Sequence, residues 1–234
     1  MTVEGLAGNL LAGLALALLI EAYLRLRARF VQRRLRRLLG FPLGASMGVI
    51  SPARATAADE ASLSTSSAYA LSYCLTLCTR AGYRAVLSSA ESVAPDLPPS
   101  FIAIGGPTVN KVTAALLRTY CPGFSIVGSM QSGDPVGGMH YRVAGRTFED
   151  TQDSGYAFVV RVGPNVTGGR GVMILVWGHT GFATAAAAHE LGALDLPATS
   201  SFFVALAITK HVGHQAAAGQ LEDLSASAFG WAPV

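Results

Sequence analysis

The sequence predicts an α/β fold in which a mostly parallel sheet, with flanking helices and a β-hairpin insertion, follows one transmembrane helix. Three observations support this prediction. An apolar segment near the start of the chain is followed directly by a cluster of arginines. Short apolar strands then alternate with amphipathic helices. Two of these strands end in glycine-rich turns that each open a helix.

The first predicted element is a membrane anchor over residues 1–24. Between Gly5 and Leu24 only Asn9 and Glu21 are strongly polar, and a helix of about twenty residues spans about 30 Å, the thickness of a hydrocarbon core. A cleaved signal peptide is the less favoured alternative, because its positive charges would precede the apolar segment. A buried core helix is the other alternative.

Residues 25–44 are predicted to form a basic juxtamembrane helix and linker. Leucines alternate with arginines as in an amphipathic helix that lies on anionic lipid. The positive-inside rule then predicts a single-pass protein of the cell membrane with residues 45–234 in the cytoplasm. We expect the lipid bilayer and its anionic headgroups as partners, and no nucleic acid, since Phe30 is the one aromatic residue among the arginines. The arginines concerned are Arg25, Arg27, Arg29, Arg33, Arg34, Arg36 and Arg37.

The composition of the remaining chain indicates one sizeable core. The full chain of 234 residues is 51% hydrophobic and 13% charged, which excludes a disordered protein. Without the first forty residues, ten Lys and Arg stand against twelve Asp and Glu, so the basic character belongs to the arginine cluster. Cys74, Cys78 and Cys121 form neither a paired framework nor a zinc spacing, and we predict no metal site.

Residues 45–234 begin with a predicted strand, helix and strand. Met47–Ile50 is a short apolar strand that ends at Ser51, and Arg84–Ser89 is a second strand. Between them Leu63–Ala81 has serine and threonine caps at its start and Gly82 after its end, as a helix requires.

The first glycine turn follows a buried strand at Phe101–Ile104. Gly105, Gly106 and Pro107 come next, and Thr108 is predicted to open an amphipathic helix that reaches Tyr120. Such a turn lets backbone N–H groups and the positive end of a helix dipole approach an anion, usually phosphate. A tight turn that needs glycine only for its conformation is the alternative.

The densest acidic cluster of the chain, Glu149, Asp150 and Asp153, lies among the next predicted strands. Phe124–Val127 is a short strand, and His140–Val143 with Arg146–Glu149 alternates polar and apolar residues as a hairpin does. Tyr156–Val162 is a longer strand. Glu91, Glu149, Asp150 and Asp153 are candidate bases for a hydrolytic reaction, with His179 as candidate acid; the alternative is that these carboxylates cap turns.

The second glycine turn repeats the first. Gly171–Trp177 is the most apolar strand, and a helix over Ala183–Leu191 follows. Two such turns in a chain of alternating strands and helices predict a Rossmann-like crevice at the carboxyl ends of the sheet. A strand at Ser201–Thr209 and a closing helix at Gln215–Ser225 complete the predicted fold. Predicted ligand-binding residues in this second turn are Gly178, His179, Thr180, Gly181 and Thr184.

The two turns resemble those of Rossmannoid sensor and effector domains of bacterial conflict and signalling systems, the SLOG and TIR-like groups. The resemblance covers the pattern of about residues 45 to 210. It implies a nucleotide or NAD-like ligand as the cofactor or signal. The residues that carry the resemblance are Gly105, Gly106, Pro107, Asn110, Gly178, Thr180, Gly181 and Thr184.

Three functions remain open from the sequence. In the first, a membrane-anchored cytoplasmic domain binds a nucleotide or NAD-like ligand at Gly105, Gly106, Thr108, Asn110 and the second turn, and acts as a sensor or effector in a homo-oligomer. In the second, the same crevice hydrolyses an N-glycosidic or phosphate bond of a nucleotide. In the third, the protein is a non-catalytic membrane scaffold.

Overall fold

The computed structural model describes residues 3–40, 45–52, 54–55, 61–62, 64–90, 99–127, 140–143, 145–151, 154–169, 171–194, 200–209 and 217–230. Its helices are α1 (Val3–Leu39), α2 (Thr65–Ala81), α3 (Lys111–Tyr120), α4 (Pro164–Thr167), α5 (Gly181–Leu191) and α6 (Ser225–Phe229). Its strands are β1 (Ser46–Ser51), β2 (Arg54–Ala55), β3 (Ala61–Ser62), β4 (Arg84–Ser89), β5 (Phe101–Ile104), β6 (Phe124–Val127), β7 (His140–Val143), β8 (Arg146–Phe148), β9 (Ser154–Val162), β10 (Met173–Gly178), β11 (Phe202–Thr209) and β12 (Ala217–Asp223).

Seven strands form one mixed sheet in the order β12-β11-β9-β10-β5-β1-β4. The neighbours β4, β1, β5 and β10 run parallel, whereas β9, β11 and β12 extend the sheet with antiparallel pairs. The prediction of a mostly parallel sheet is therefore wrong. For β9 and β10 the reason lies in their connection, because residues 163–172 are too few for a parallel crossover, which needs a dozen or more residues. The described part of this connection holds the single turn α4.

The sheet is covered on both faces. Helices α2 and α5, with the end of α1, pack on one face around buried residues such as Val49, Ile102 and Val176. Helices α3 and α6 pack on the other face, together with the small antiparallel sheet β6-β7-β8, around residues such as Phe158 and Trp177. The central strands β1, β5 and β10 are therefore buried on both sides, which explains their continuous apolar sequences.

The predicted closing helix at Gln215–Ser225 is wrong in the part that the structure describes. Residues 217–223 form β12, which pairs antiparallel with β11, and α6 begins only at Ser225. The alanines and glutamate of this segment favour a helix in isolation, but helix propensity is a weak preference. Pairing with the edge of an apolar strand satisfies the backbone of the segment and overrides that preference.

The predicted transmembrane anchor is contradicted. Within the described residues, no helix combines the length and the apolar character that crossing a membrane requires. This finding also contradicts the single-pass membrane localisation. The apolar and arginine-rich segments are not separate elements but one continuous helix, α1, and within it Glu21 pairs with Arg25.

The C-terminal end of α1 packs into the hydrophobic core of the fold. Leu35, Leu38 and Leu39 are buried in the same cluster as α2 and α5, and each such side chain stabilises the packing by about 1.5–3 kcal/mol. Arg34 Nη2 donates to the carbonyl oxygen of Ala193 at 2.6 Å. Arg36 Nε donates to the carbonyl oxygen of Ala81 at 2.8 Å. Two arginines of the cluster therefore form hydrogen bonds within the protein.

Candidate functional site

A cavity of about 250 Å³ lies at the carboxyl ends of β1, β5 and β10. Strand β1 lies between β4 and β5, so the chain leaves β1 toward one side of the sheet and later returns on its other side. This reversal is a topological switch point, the place where open α/β sheets bind ligands. The residues that line the cavity are Pro52, Ser64, Ser66, Ser67, Gly105, Gly106, Thr108, Val109, Tyr141, Gly178, His179, Thr180, Gly181 and Thr184.

The first glycine turn forms one wall. Gly105 has a φ of +96° and its N–H donates to the carbonyl oxygen of Val176 at 2.9 Å, which holds the turn against β10. A Cβ atom on Gly106 would lie 3.0 Å from the Tyr141 hydroxyl. The turn thus keeps its backbone open toward the cavity. Thr108 lines the cavity but lies in the turn, because α3 begins at Lys111 and not at Thr108 as predicted.

Asn110 is a structural residue in this turn. Its side chain is 1% exposed, accepts hydrogen bonds from the N–H groups of Val112 and Thr113, and donates from Nδ2 to the carbonyl oxygen of Ile104 at 2.8 Å. These contacts cap α3 and fasten it to the end of β5. Asn110 is absent from the cavity lining, so the structure does not bring it together with the other predicted ligand-binding residues.

The second glycine turn forms the opposite wall. Thr180 caps α5, since its hydroxyl accepts from Ala183 N–H at 3.1 Å. Thr184 Oγ1 accepts from Gly178 N–H and donates to the Thr180 carbonyl oxygen, both at 3.0 Å. A Cβ atom on Gly178 would lie 2.4 Å from Ala183 Cβ. The glycine is therefore required for α5 to start directly on the sheet. All five residues predicted in this turn line the cavity.

The start of α2 contributes a third group of residues, which were not predicted from the sequence as part of the site. Ser64, Ser66 and Ser67 line the cavity, and the Ser64 hydroxyl accepts from Ser67 N–H at 3.2 Å. A Cβ atom on Gly181 would lie 1.9 Å from Ser66 Oγ. The first turns of α2 and α5 therefore touch, and the positive ends of two helix dipoles meet at the cavity. The serines at the helix start were visible in the sequence, but only as caps.

His179 is the most unusual group of the site. Atoms Nδ1 and Nε2 are buried, and within the described part of the chain neither makes a hydrogen bond of normal geometry. The ring lies on the Tyr141 ring, with 4.4 Å between centroids and 35° between planes. Burial lowers the pKa of His179, an effect that the charge of Asp150 and the carbonyl groups of Tyr156 and Phe148 oppose.

Tyr141 forms the base of the site from β7. The side chain is 1% exposed and its hydroxyl is hydrogen-bonded to Thr108. Burial raises the pKa of Tyr141 to about 12, so the phenol is neutral at physiological pH. The Tyr141 ring lies at a tilt against the His179 ring and edge-on to the Trp177 ring, and these contacts fix its position.

The candidate catalytic residues separate into three groups. Asp150 lies close enough to His179 for its charge to act on the imidazole. Glu149 is exposed and does not line the cavity. Glu91 and Asp153 lie outside the described residues. Among the candidate carboxylates that the structure describes, Asp150 is therefore the one whose charge acts on a residue of the cavity, His179.

Comparison with known proteins gives no neighbour that identifies the site. No protein-family model matches the chain, and no match to a curated protein or to a solved structure was found. The resemblance to SLOG and TIR-like domains stays a prediction from the sequence. The function has to be inferred from the site itself.

Proposed function

We propose that the protein binds a small phosphate-bearing ligand, a nucleotide or an NAD-like molecule, in the cavity at the switch point and acts as a sensor or effector of that ligand. The observation that carries the proposal is the convergence of both glycine turns and the first turn of α2 on one cavity. Helix N-termini and hydroxyl groups are the donors that proteins use for phosphate.

The volume of the cavity limits the size of the ligand that it can enclose. Sites that enclose a whole drug-sized ligand measure about 300–1,000 Å³, whereas this cavity measures about 250 Å³. The space suits a phosphate group with its sugar, while a base or a second nucleotide would extend beyond the lining residues. We therefore expect mononucleotides to bind at least as well as dinucleotides.

A thermal-shift screen of the full chain tests the proposal. The ligands are AMP, ADP, ATP, cyclic AMP, NAD and nucleotide sugars, with adenosine as the control that lacks phosphate. A ligand at about a hundredfold its Kd stabilises the folded state by about 2.7 kcal/mol. Stabilisation by phosphorylated ligands but not by adenosine is the expected result. No shift with any of them would refute the proposal.

A matched pair of serine variants locates the binding site. Ser66 lines the cavity, whereas Ser72 is exposed on the same helix. Ser66→Ala is expected to weaken binding about fivefold to tenfold, since one hydrogen bond contributes about 1 kcal/mol, and Ser72→Ala is expected to leave it unchanged. Gly106→Val, which places a branched side chain against Tyr141 and Trp177, is expected to abolish binding. Equal affinities in all three variants would place the ligand elsewhere.

Hydrolysis of the bound ligand is the second candidate function. The observation that favours it is that the charge of Asp150 acts on the His179 imidazole, since a carboxylate and an imidazole are groups that general acid and base catalysis uses. Product analysis of every ligand from the screen separates the two functions. A ligand recovered intact after prolonged incubation supports the sensor, and a free base or free phosphate supports the enzyme.

A further inference from the structure

We propose that α1 is the contact between two copies of this chain, which pair antiparallel along one exposed apolar stripe of the helix. The stripe consists of Leu19, Tyr23, Leu26 and Phe30. This inference goes beyond the proposed function, because it concerns a surface that does not line the cavity and needs no ligand.

The first argument is the exposure of these four side chains. Leu19 is 67% exposed, Tyr23 63%, Leu26 65% and Phe30 68%, more than any other large apolar residue in the part of the chain that the structure describes. Residues 13–30 of α1 are all exposed, so no described part of the fold covers the stripe. Soluble proteins seldom expose a large contiguous apolar patch unless it is an interaction site.

The second argument is the face of the helix on which the stripe lies. Its residues follow one another at intervals of four, three and four positions, which is the spacing of a coiled-coil seam. At about 3.6 residues per turn, the stripe lies on the side of α1 opposite to Leu35 and Leu39, which are buried in the core. A second helix can therefore pack against the stripe without displacing α1 from the core.

The third argument is the symmetry of the stripe, which identifies the partner as a second copy. The spacing of four, three and four positions reads the same in both directions. A two-fold axis between Tyr23 and Leu26 therefore places these two residues opposite each other in antiparallel copies. The same axis places Leu19 opposite Phe30 of the second copy, so each aromatic ring packs on a leucine. Such a contact is isologous and closes with two chains.

The charges beside the stripe favour the antiparallel direction. Arg27 and Arg29 are exposed and flank the stripe on its two sides. Parallel copies in register would bring the arginines of one helix alongside those of the other, and like charges repel. In the antiparallel arrangement the same positions face the uncharged Ile20 and Ala22 of the second copy. The two basic segments then lie apart.

The stripe is large enough for a specific contact. Packed aromatic side chains bury about 150–250 Å² each, so Tyr23 and Phe30 of two copies, each about two-thirds exposed, supply roughly 400–700 Å². Leu19 and Leu26 are equally exposed. With them the contact approaches the about 1,000 Å² that a specific interface needs. We therefore expect a dimer at micromolar concentrations of the chain.

Analytical ultracentrifugation of the full chain tests the proposal. At about 50 μM, above the micromolar Kd expected for this area, we expect the mass of a dimer. Leu26→Glu places a carboxylate in the seam and is expected to raise the dissociation constant at least about tenfold, because a buried unpaired charge is disfavoured. Leu18→Glu is the matched control, since Leu18 is 58% exposed in the same helix but lies outside the stripe. This variant is expected to remain a dimer.

Disulfide cross-linking measures the direction of the two helices. Leu19→Cys and Phe30→Cys place thiols at the two ends of the stripe, while Cys74, Cys78 and Cys121 are buried. Mild oxidation of a mixture of the two variants is expected to give a covalent dimer, whereas each variant alone is expected to give little. Parallel pairing would give the reverse result, because each thiol would then meet the same position of the other copy.

The outcomes distinguish this inference from the proposed function. A monomer, or an aggregate without defined size, would overturn it, whether or not the chain then binds vesicles of anionic lipid. Equal weakening of the dimer by Leu26→Glu and Leu18→Glu would also overturn it, because the contact would not follow the stripe. Cross-linking of each cysteine variant with itself would overturn the antiparallel direction. A failed nucleotide screen leaves the inference standing, since the stripe and the cavity share no residue.

Discussion

The contact between Gly181 and Ser66 offers the sharpest test of the site's architecture. A Cβ atom on Gly181 would lie 1.9 Å from Ser66 Oγ and 2.7 Å from Ser66 Cβ. Rotation of the serine can move the hydroxyl but not the Cβ atom. Non-bonded carbon atoms prefer about 3.5–4.0 Å, so Gly181→Ala would force the starts of α2 and α5 apart by about 1 Å.

Two effects with opposite signs compete in this variant. Alanine is favoured over glycine in a helix by up to about 1 kcal/mol, whereas overpacking costs about 1–3 kcal/mol. We expect overpacking to dominate and the free energy of unfolding to fall by about 1–2 kcal/mol. Gly13→Ala is the matched control, because Gly13 lies in α1 with no atom within 4 Å of the added methyl group. That variant is expected to be as stable as the unmodified chain or slightly more stable.

Urea unfolding of four proteins measures the effect. They are the unmodified chain, Gly181→Ala, Ser66→Gly and the double variant. Because Ser66→Gly removes both clashing atoms, the double variant is expected to recover at least about 1 kcal/mol through coupling of the two sites. A Gly181→Ala protein as stable as the unmodified chain would show that the two helix starts do not touch, and the convergence of their dipoles on the cavity would lose its basis.

Three further predictions follow from the burial of polar groups. Asn110→Ala is expected to lower the free energy of unfolding by about 1–3 kcal/mol, because it removes the cap of α3 and the donor to the Ile104 carbonyl oxygen. The ligand affinity of the folded fraction is expected to be unchanged. Urea unfolding measures the first effect and titration calorimetry the second. Burial raises the pKa of Cys78 and Cys121 to about 12 and that of Cys74 beyond the usual range, so none is expected to react with an aromatic disulfide at pH 8 before urea unfolds the chain. Burial lowers the pKa of His179, so the unfolded state binds its proton more readily and the ligand-free protein is expected to lose stability as pH falls below about 6.5, less so in His179→Gln.

The parts of the fold that local pattern determines were predictable from the sequence. Strand β5, helix α2 with its Ser64 cap and Gly82 end, and the β7 and β8 hairpin have the predicted positions within two residues. Each has its own signal, such as a cap, an apolar segment or a change of period. Direction in the sheet has no such local signal, and β9 became antiparallel because of the short connection that follows it.

The site was predictable only in part, for a related reason. Glycine at Gly106 or Gly178 marks a turn wherever a strand meets a helix, so both walls of the cavity were found. Ser66 and Tyr141 reach the cavity through tertiary packing, from α2 and from the small sheet, and nothing in their own segments indicates this. Asn110 is the opposite case: the resemblance implied a ligand contact, but its side chain caps the start of α3 and donates to the carbonyl oxygen of Ile104.

The arginine cluster of α1 supports a final prediction. Arg36 donates to the carbonyl oxygen of Ala81 at the end of α2, and Arg34 donates to that of Ala193 just beyond α5. Both carbonyls lie at the negative ends of helix dipoles whose positive ends face the cavity. Arg36→Ala is therefore expected to lower the free energy of unfolding by about 1–2 kcal/mol, since a hydrogen bond to a charged group contributes about 1.5–3 kcal/mol and this one is only partly buried. The exposed Arg33 provides the control, and Arg33→Ala is expected to stay within about 0.5 kcal/mol of the unmodified chain. Equal losses in the two variants would mean that the cluster acts through its total charge, and that α1 does not stabilise the ends of the helices whose starts form the site.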